Sequence, residues 1–356
     1  MKCVATALLA FVAVRLATAQ IPLVPIPKIA AGLERKNAFP TEVAFPGSVR
    51  VLPEVRYWTP VGFRPLTMDI YLPPKTLATP AGGFSMVMYI HGGGWVAGNY
   101  RKLVPFVDFP SVLASIAARG YVVASVNYRL SGEAKWPAQA EDIKAAIKFL
   151  RLHAGEYRVN PSRFLAWGVS AGGQLAAIAD VTCGVPGLEP RSSGSWSHPG
   201  SKFAGRGGAK VSDCIQGAVA WYGVFDMTTI AAQARSAGAM SRDNPDTPEW
   251  LLLGCFKDKC TPGQLKSASA VSYVNRNTPQ MLLIVGNQDK LVPYEQSLEM
   301  AETLKAAGVR HELIVMTGMN HSLLGATQQA TRRANLDALE KTLRFIDQTI
   351  GPSSHP

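Results

Sequence analysis

The chain is short of several things, and each shortage closes off a class of function. No apolar run reaches the length needed to span a bilayer, including the one near the N-terminus. Basic residues outnumber acidic ones, 36 to 25, yet they form no run interleaved with aromatics, so no nucleic-acid partner is expected. There is no P-loop and no internal repeat. Five cysteines are present, at spacings wrong for zinc and without an accompanying His pair, so no metal is expected.

What is there begins with a leader. Residues 1–19 read as a secretory signal peptide: Lys2 supplies the positive start, Val4 to Val14 the apolar centre, and Ala17-Thr18-Ala19 a small-residue cleavage site. The expected product is exported, to a periplasm or outside the cell, and free of the membrane once the signal is removed. Cys3 leaves with the signal, and Cys183, Cys214, Cys255 and Cys260 remain. An even count in an exported chain suggests disulfides. Of three possible pairings, the short loop Cys255–Cys260 is natural, which leaves Cys183 with Cys214. The basic balance reads as a solubility feature.

Residues 20–48 are proline-rich and read as an irregular lead-in. From 49 to 350 the chain reads as one domain. Val51–Trp58 and Leu66–Leu72 alternate loosely, like antiparallel edge strands. Strand-like runs follow at Phe84–Ile90, Tyr121–Asn127, Phe164–Val169, Ile215–Tyr222, Met281–Gly286 and Glu312–Met316, several of them continuously apolar. Between them lie helical stripes: Ile143, Ala146, Ile147 and Leu150; Met300, Ala301 and Leu304; Leu336, Leu339, Leu343 and Ile346. This alternation predicts an α/β fold, a mostly parallel, doubly wound sheet of about eight strands with helices on both faces. Residues 182–212, rich in Gly, Ser and Pro, read as a surface excursion, and 226–279 as a small cap over the strand ends.

The chemistry centres on Gly168-Val169-Ser170-Ala171-Gly172-Gly173, where a strand-like run meets small helix formers. That is the setting of a nucleophile elbow, which holds a serine at a sharp strand-to-helix turn. A serine hydroxyl needs a base, and the base needs an acid to orient it. Among six histidines, His153 falls in a helix, His198 in the excursion and His355 in the tail, while His311 opens a strand and His91 precedes three glycines. His321, in a loop after the last strand, remains. For the acid, Asp289 follows the Met281–Gly286 strand, where such sheets place their sites. The rival, Asp226, suits a turn or capping role better.

His91-Gly92-Gly93-Gly94-Trp95 follows another strand directly. Glycines there let backbone N–H groups reach a substrate carbonyl, so Gly93 and Gly94, with Ala171, are the expected oxyanion donors. Gly92-x-Gly94-x-x-Ala97 also fits a loose dinucleotide fingerprint. The next strand, however, ends in Asn127 where that motif wants an acid, and no cofactor is expected.

With these landmarks in place the chain resembles an α/β-hydrolase of the carboxylesterase type. It is most similar to the secreted feruloyl/acetylxylan esterase-like group, which overlaps with prolyl-oligopeptidase-like hydrolases. Asn127-Tyr128-Arg129-Leu130, Trp136-Pro137-Ala138-Gln139, Trp221-Tyr222-Gly223 and Asp289-Lys290-Leu291-Val292-Pro293 carry the likeness alongside the glycine loop, the elbow and Gly318 to His321. The resemblance implies structural roles for Tyr128, Arg129 and Trp136, and places Trp95 and Trp221 as walls of the acyl pocket. It implies a secreted serine esterase acting on small or polysaccharide-linked esters, feruloyl or acetyl groups among them. Aryl-formamidase and prolyl-type peptidase are the neighbouring alternatives. An inactive binding module on the same fold is the alternative of another class.

Overall fold

The computed structural model describes residues 42–190 and 211–351. The signal-like segment 1–19, most of the lead-in, the middle of the 182–212 excursion with His198, and His355 lie outside the described residues. The strands are β1 (Val43–Phe45), β2 (Val49–Trp58), β3 (Leu66–Leu72), β4 (Phe84–Ile90), β5 (Tyr121–Val126), β6 (Val159–Val169), β7 (Gly217–Trp221), β8 (Gln280–Gly286) and β9 (His311–Met316). The helices are α1 (Phe109–Ala118), α2 (Ala138–Leu152), α3 (Ala154–Tyr157), α4 (Ala171–Val181), α5 (Ile230–Ser236), α6 (Pro248–Leu253), α7 (Pro262–Ser267), α8 (Glu295–Ala306) and α9 (Gln328–Ile350).

The strands form one nine-stranded sheet in the order β1-β2-β3-β5-β4-β6-β7-β8-β9. From β5 across to β9 all neighbours are parallel, and β1, β2 and β3 extend the sheet antiparallel. The order turns at β4, with β5 on one side and β6 on the other. Such a switch leaves a crevice at the strand C-termini, where both the glycine loop and the elbow emerge.

β4, β5 and β7 are buried along their whole length, which is why they read as unbroken apolar runs. One face packs Ile143 and Ile147 of α2, Leu175 and Ile178 of α4, and Met300 and Leu304 of α8. The other packs Phe109 and Leu113 of α1 with Phe345 and Ile346 of α9. Helices therefore cover both faces. None in the described residues is long and apolar enough to cross a membrane.

Three expectations change. The sheet has nine strands where about eight were expected. The ninth, Val43–Phe45, falls inside the segment read as irregular, because three residues are too few to show a period of two. The loose alternation of β2 is a bulge at Pro53 and Glu54: the pairing register shifts there, and Glu54 N–H donates to Asp69 Oδ1 at 2.9 Å. On α9 the stripe is rotated, with Leu336 47% exposed and Ala334, Ala338 and Thr342 turned inward.

Both cysteine pairs form as the spacing suggested, Cys183–Cys214 and Cys255–Cys260. The first ties together the two ends of the excursion. The buried Lys144 ammonium reinforces it, donating to Thr182 O and to Asp213 Oδ2, both at 2.5 Å. Arg129 is structural: its guanidinium lies against Asp142 and Glu141 at 2.7 and 3.1 Å.

Candidate active site

Ser170 leaves β6 with φ 53° and ψ −121°, a conformation that costs an L-residue about 1–3 kcal/mol and persists only when its surroundings impose it. Here they do. A Cβ on Gly168 would stand 1.9 Å from Gly172 O, and one on Gly172 would stand 2.1 Å from Ile90 O. Only glycine permits that crossing of strand and helix. Ser170 N–H donates to Trp221 O at 2.8 Å, fixing the turn to β7.

His321 follows β9 in the turn His321–Leu323. Its Nε2 is 3.0 Å from Ser170 Oγ, and its Nδ1 is 2.7 Å from Asp289 Oδ2. A carboxylate facing Nδ1 keeps the proton there, so Nε2 is free to accept from the serine hydroxyl. The other Asp289 oxygen accepts from Leu291 N and Val292 N, each at 2.8 Å. Asn320 Oδ1 accepts from His321 N at 2.7 Å and from Lys290 N at 2.8 Å, clamping the two loops together. Tyr222 stands edge-on to the imidazole, ring centres 4.7 Å apart. Burial raises its phenol above the ordinary range.

The glycine loop approaches from β4. A Cβ on Gly92 would lie 3.2 Å from Ser170 Cβ, and Gly93 has φ +117°, open to glycine alone. His91 is buried behind the loop, stacked on Tyr128 at 4.4 Å with Nδ1 2.7 Å from Gly92 O. Burial lowers its pKa to about 4, so it is neutral and serves as a strut. Asp226 takes the turn role expected of it, accepting from Thr228 N–H and hydroxyl at 2.6 Å.

Gly93, Gly94, Ser170 and His321 meet at one cavity of about 590 Å³. Trp95 and Trp221 do not line it, which corrects the pocket assignment. Trp95 is turned into the core, its indole N–H donating to Gln174 Oε1 at 3.2 Å. Trp221 is fully buried between Trp167 and Tyr222 and donates to Thr342 Oγ1 at 2.9 Å. Trp221 ends β7, a strand buried on both faces, while Trp95 lies in the turn after the glycine loop with φ 57° and packs into the core from there. The walls are instead Val96, Leu103, Val104, Tyr222, Pro248 and Leu291. Pro248 comes from the inserted segment 226–279, which thus supplies part of the wall. Its short helices carried too little periodicity to be read in advance.

A probable carboxylic ester hydrolase of Mycobacterium tuberculosis, LipM, is 28% identical over 207 residues, 56% of this chain and 43% of that protein. The chain spans less than half the length of the first curated relatives it matches. Among solved structures, a truncated carbohydrate esterase from gut microbiota is 26% identical with a TM-score of 0.65, over 84% of this chain and 95% of that one. The esterase Est2 of Thermogutta terrifontis is 25% identical with a TM-score of 0.62, over 85% and 95% respectively. The dienelactone hydrolase family model matches residues 263–350, and the BD-FAE model matches residues 68–304, more than half of the sequence. The chain therefore belongs to the BD-FAE family, on an α/β-hydrolase fold of the carboxylesterase type.

Proposed function

We propose that the protein is an exported serine hydrolase of carboxylic esters. The observation that carries this is the unbroken hydrogen-bond chain from Asp289 through His321 to Ser170, ending in a cavity beside the glycine loop. His321 Nε2 takes the hydroxyl proton as Ser170 Oγ attacks the ester carbonyl. The tetrahedral oxyanion is held by backbone N–H groups of Gly93, Gly94 and Ala171, the last at the start of α4 where the helix dipole favours negative charge. The C–O bond breaks, and the alcohol leaves with the proton from His321. Water then enters, gives its proton to the same nitrogen, attacks the acyl-enzyme and releases the acid. Asp289 orients the imidazole and stabilises its cation throughout.

Acyl groups borne on polysaccharide, acetyl or feruloyl, are the proposed natural substrates. The likeness to a carbohydrate esterase and a cavity roomy enough for an aromatic acyl group support this. Export rests on residues 1–19. The test is fluorophosphonate labelling of the full chain beside turnover of p-nitrophenyl acetate, methyl ferulate and acetylated xylan. Label on Ser170 with turnover, both abolished by Ser170→Ala in a folded protein, is expected. A folded protein that neither labels nor hydrolyses any ester overturns the reading.

A further inference from the structure

Besides the reacting groups, His91 and the polar side chains of Asn99 and Ser322, the cavity wall is apolar and carries one charged side chain. Lys102 lines it, exposed, on the loop that follows the glycine turn. No aspartate or glutamate lines the cavity with it. Asp289 lies behind His321 with both oxygens engaged. The neighbouring Arg101 is spent on Asp69 at 2.5 Å and Glu54 at 3.6 Å. Among the described residues the Lys102 ammonium enters no ion pair, so its charge is left facing the cavity.

The backbone under it is held on both sides. Lys102 N–H donates to Asn99 O at 3.0 Å, the Ser125 hydroxyl holds Tyr100 O, and Leu103 is buried and bridged to Phe106. The base of the side chain is therefore fixed while its charged end is free. A single exposed cation at the rim of a largely apolar cavity attracts an anion through a field that water partly screens, which favours a charged substrate modestly. The positive balance of the whole chain adds to that field.

We propose that Lys102 recognises an ionised carboxylate on the substrate, so that the site prefers esters carrying a second, free carboxyl group. This rests on the ester-hydrolase reading above. The carboxylate sits either on the acyl part or on the alcohol part, and the two arms of the test separate these. The first arm compares p-nitrophenyl hemisuccinate with p-nitrophenyl butyrate. The second compares 4-acetoxybenzoate with its methyl ester.

The quantity read is the ratio of kcat/KM for the charged and neutral member of each pair, in the wild-type chain, Lys102→Gln and Lys102→Glu. In one arm the ratio falls about 5- to 10-fold in Lys102→Gln, falls further in Lys102→Glu, and declines in the wild type with added salt. Turnover of neutral esters with ratios that move less than about twofold in both arms overturns the carboxylate proposal alone. Failure to hydrolyse any ester, with Ser170 unlabelled, overturns the hydrolase reading and this proposal together.

Discussion

Arg242 holds the carbonyl of Leu291 at 2.9 Å, two residues beyond Asp289, and so ties the inserted segment to the loop that carries the acid. The same guanidinium is paired with Glu249 at 2.7 Å, and both side chains are almost wholly buried, at 1% and 3% exposure. Removing one partner of such a pair strands the other charge, whereas removing both does not. Arg242→Met is therefore expected to cost about 3–5 kcal/mol in urea unfolding. Arg242→Met with Glu249→Leu is expected to regain most of that stability while kcat stays low, because Leu291 remains untethered. Full recovery of kcat in the double variant would show that the tether does not position the acid.

Trp221 and Leu291 should separate packing from selectivity. Trp221→Phe leaves the Thr342 hydroxyl without its donor and is expected to cost about 1–2 kcal/mol. The acyl preference across a series of p-nitrophenyl esters stays as it was. Leu291→Ala widens the cavity and shifts that preference towards longer acyl groups, by up to about 10-fold in kcat/KM. A preference that moves with Trp221 instead would restore the indole to the pocket.

His91 sets an acid limit on the fold. Its imidazole is lowered from the ordinary 6.5 to about 4, first by burial. An unfolded chain takes up this proton as pH falls below 6.5, while the folded chain refuses it until about 4. The stability His91 contributes is whole above pH 6.5 and shrinks by about 3 kcal/mol as pH falls to 4. In His91→Gln, urea unfolding followed across that window should show a shallower slope. An unchanged slope would assign the acid sensitivity to other groups.

The two disulfides close loops of very different length, 31 and 5 residues. By chain entropy, the double serine variant at Cys183 and Cys214 should lose about 3–4 kcal/mol, and that at Cys255 and Cys260 about 2. Differential scanning calorimetry ranks them, and the reverse order would contradict the loop-length account.

Much of the site was legible because its chemistry is local in the chain. Ser170 announces itself through Gly168 and Gly172, whose lack of a Cβ is demanded by contacts within the elbow and with β4. His321 and Asp289 were reachable by order along the chain, since each follows a strand that is visible as an apolar run. The walls were not legible. Val96 and Leu291 come from the loops after two different strands and Pro248 from the start of α6, and no period or motif relates them. Trp95 and Trp221 misled because an aromatic beside a catalytic motif looks the same whether it points into the core or into the cavity. The short β1 and the phase of α9 were lost for a related reason: only neighbours that are distant in sequence decide them.

The three reacting side chains do not share one foundation. Ser170 stands at the end of a central strand, buried from Phe164 onward, whereas His321 follows β9, a strand at one edge of the sheet, which is mostly half-exposed. Local opening is easiest at such margins. A warmed sample will consequently part base from nucleophile while the middle of the sheet is still intact. Catalytic half-life and melting temperature will describe two different events in this molecule, and the former will come first.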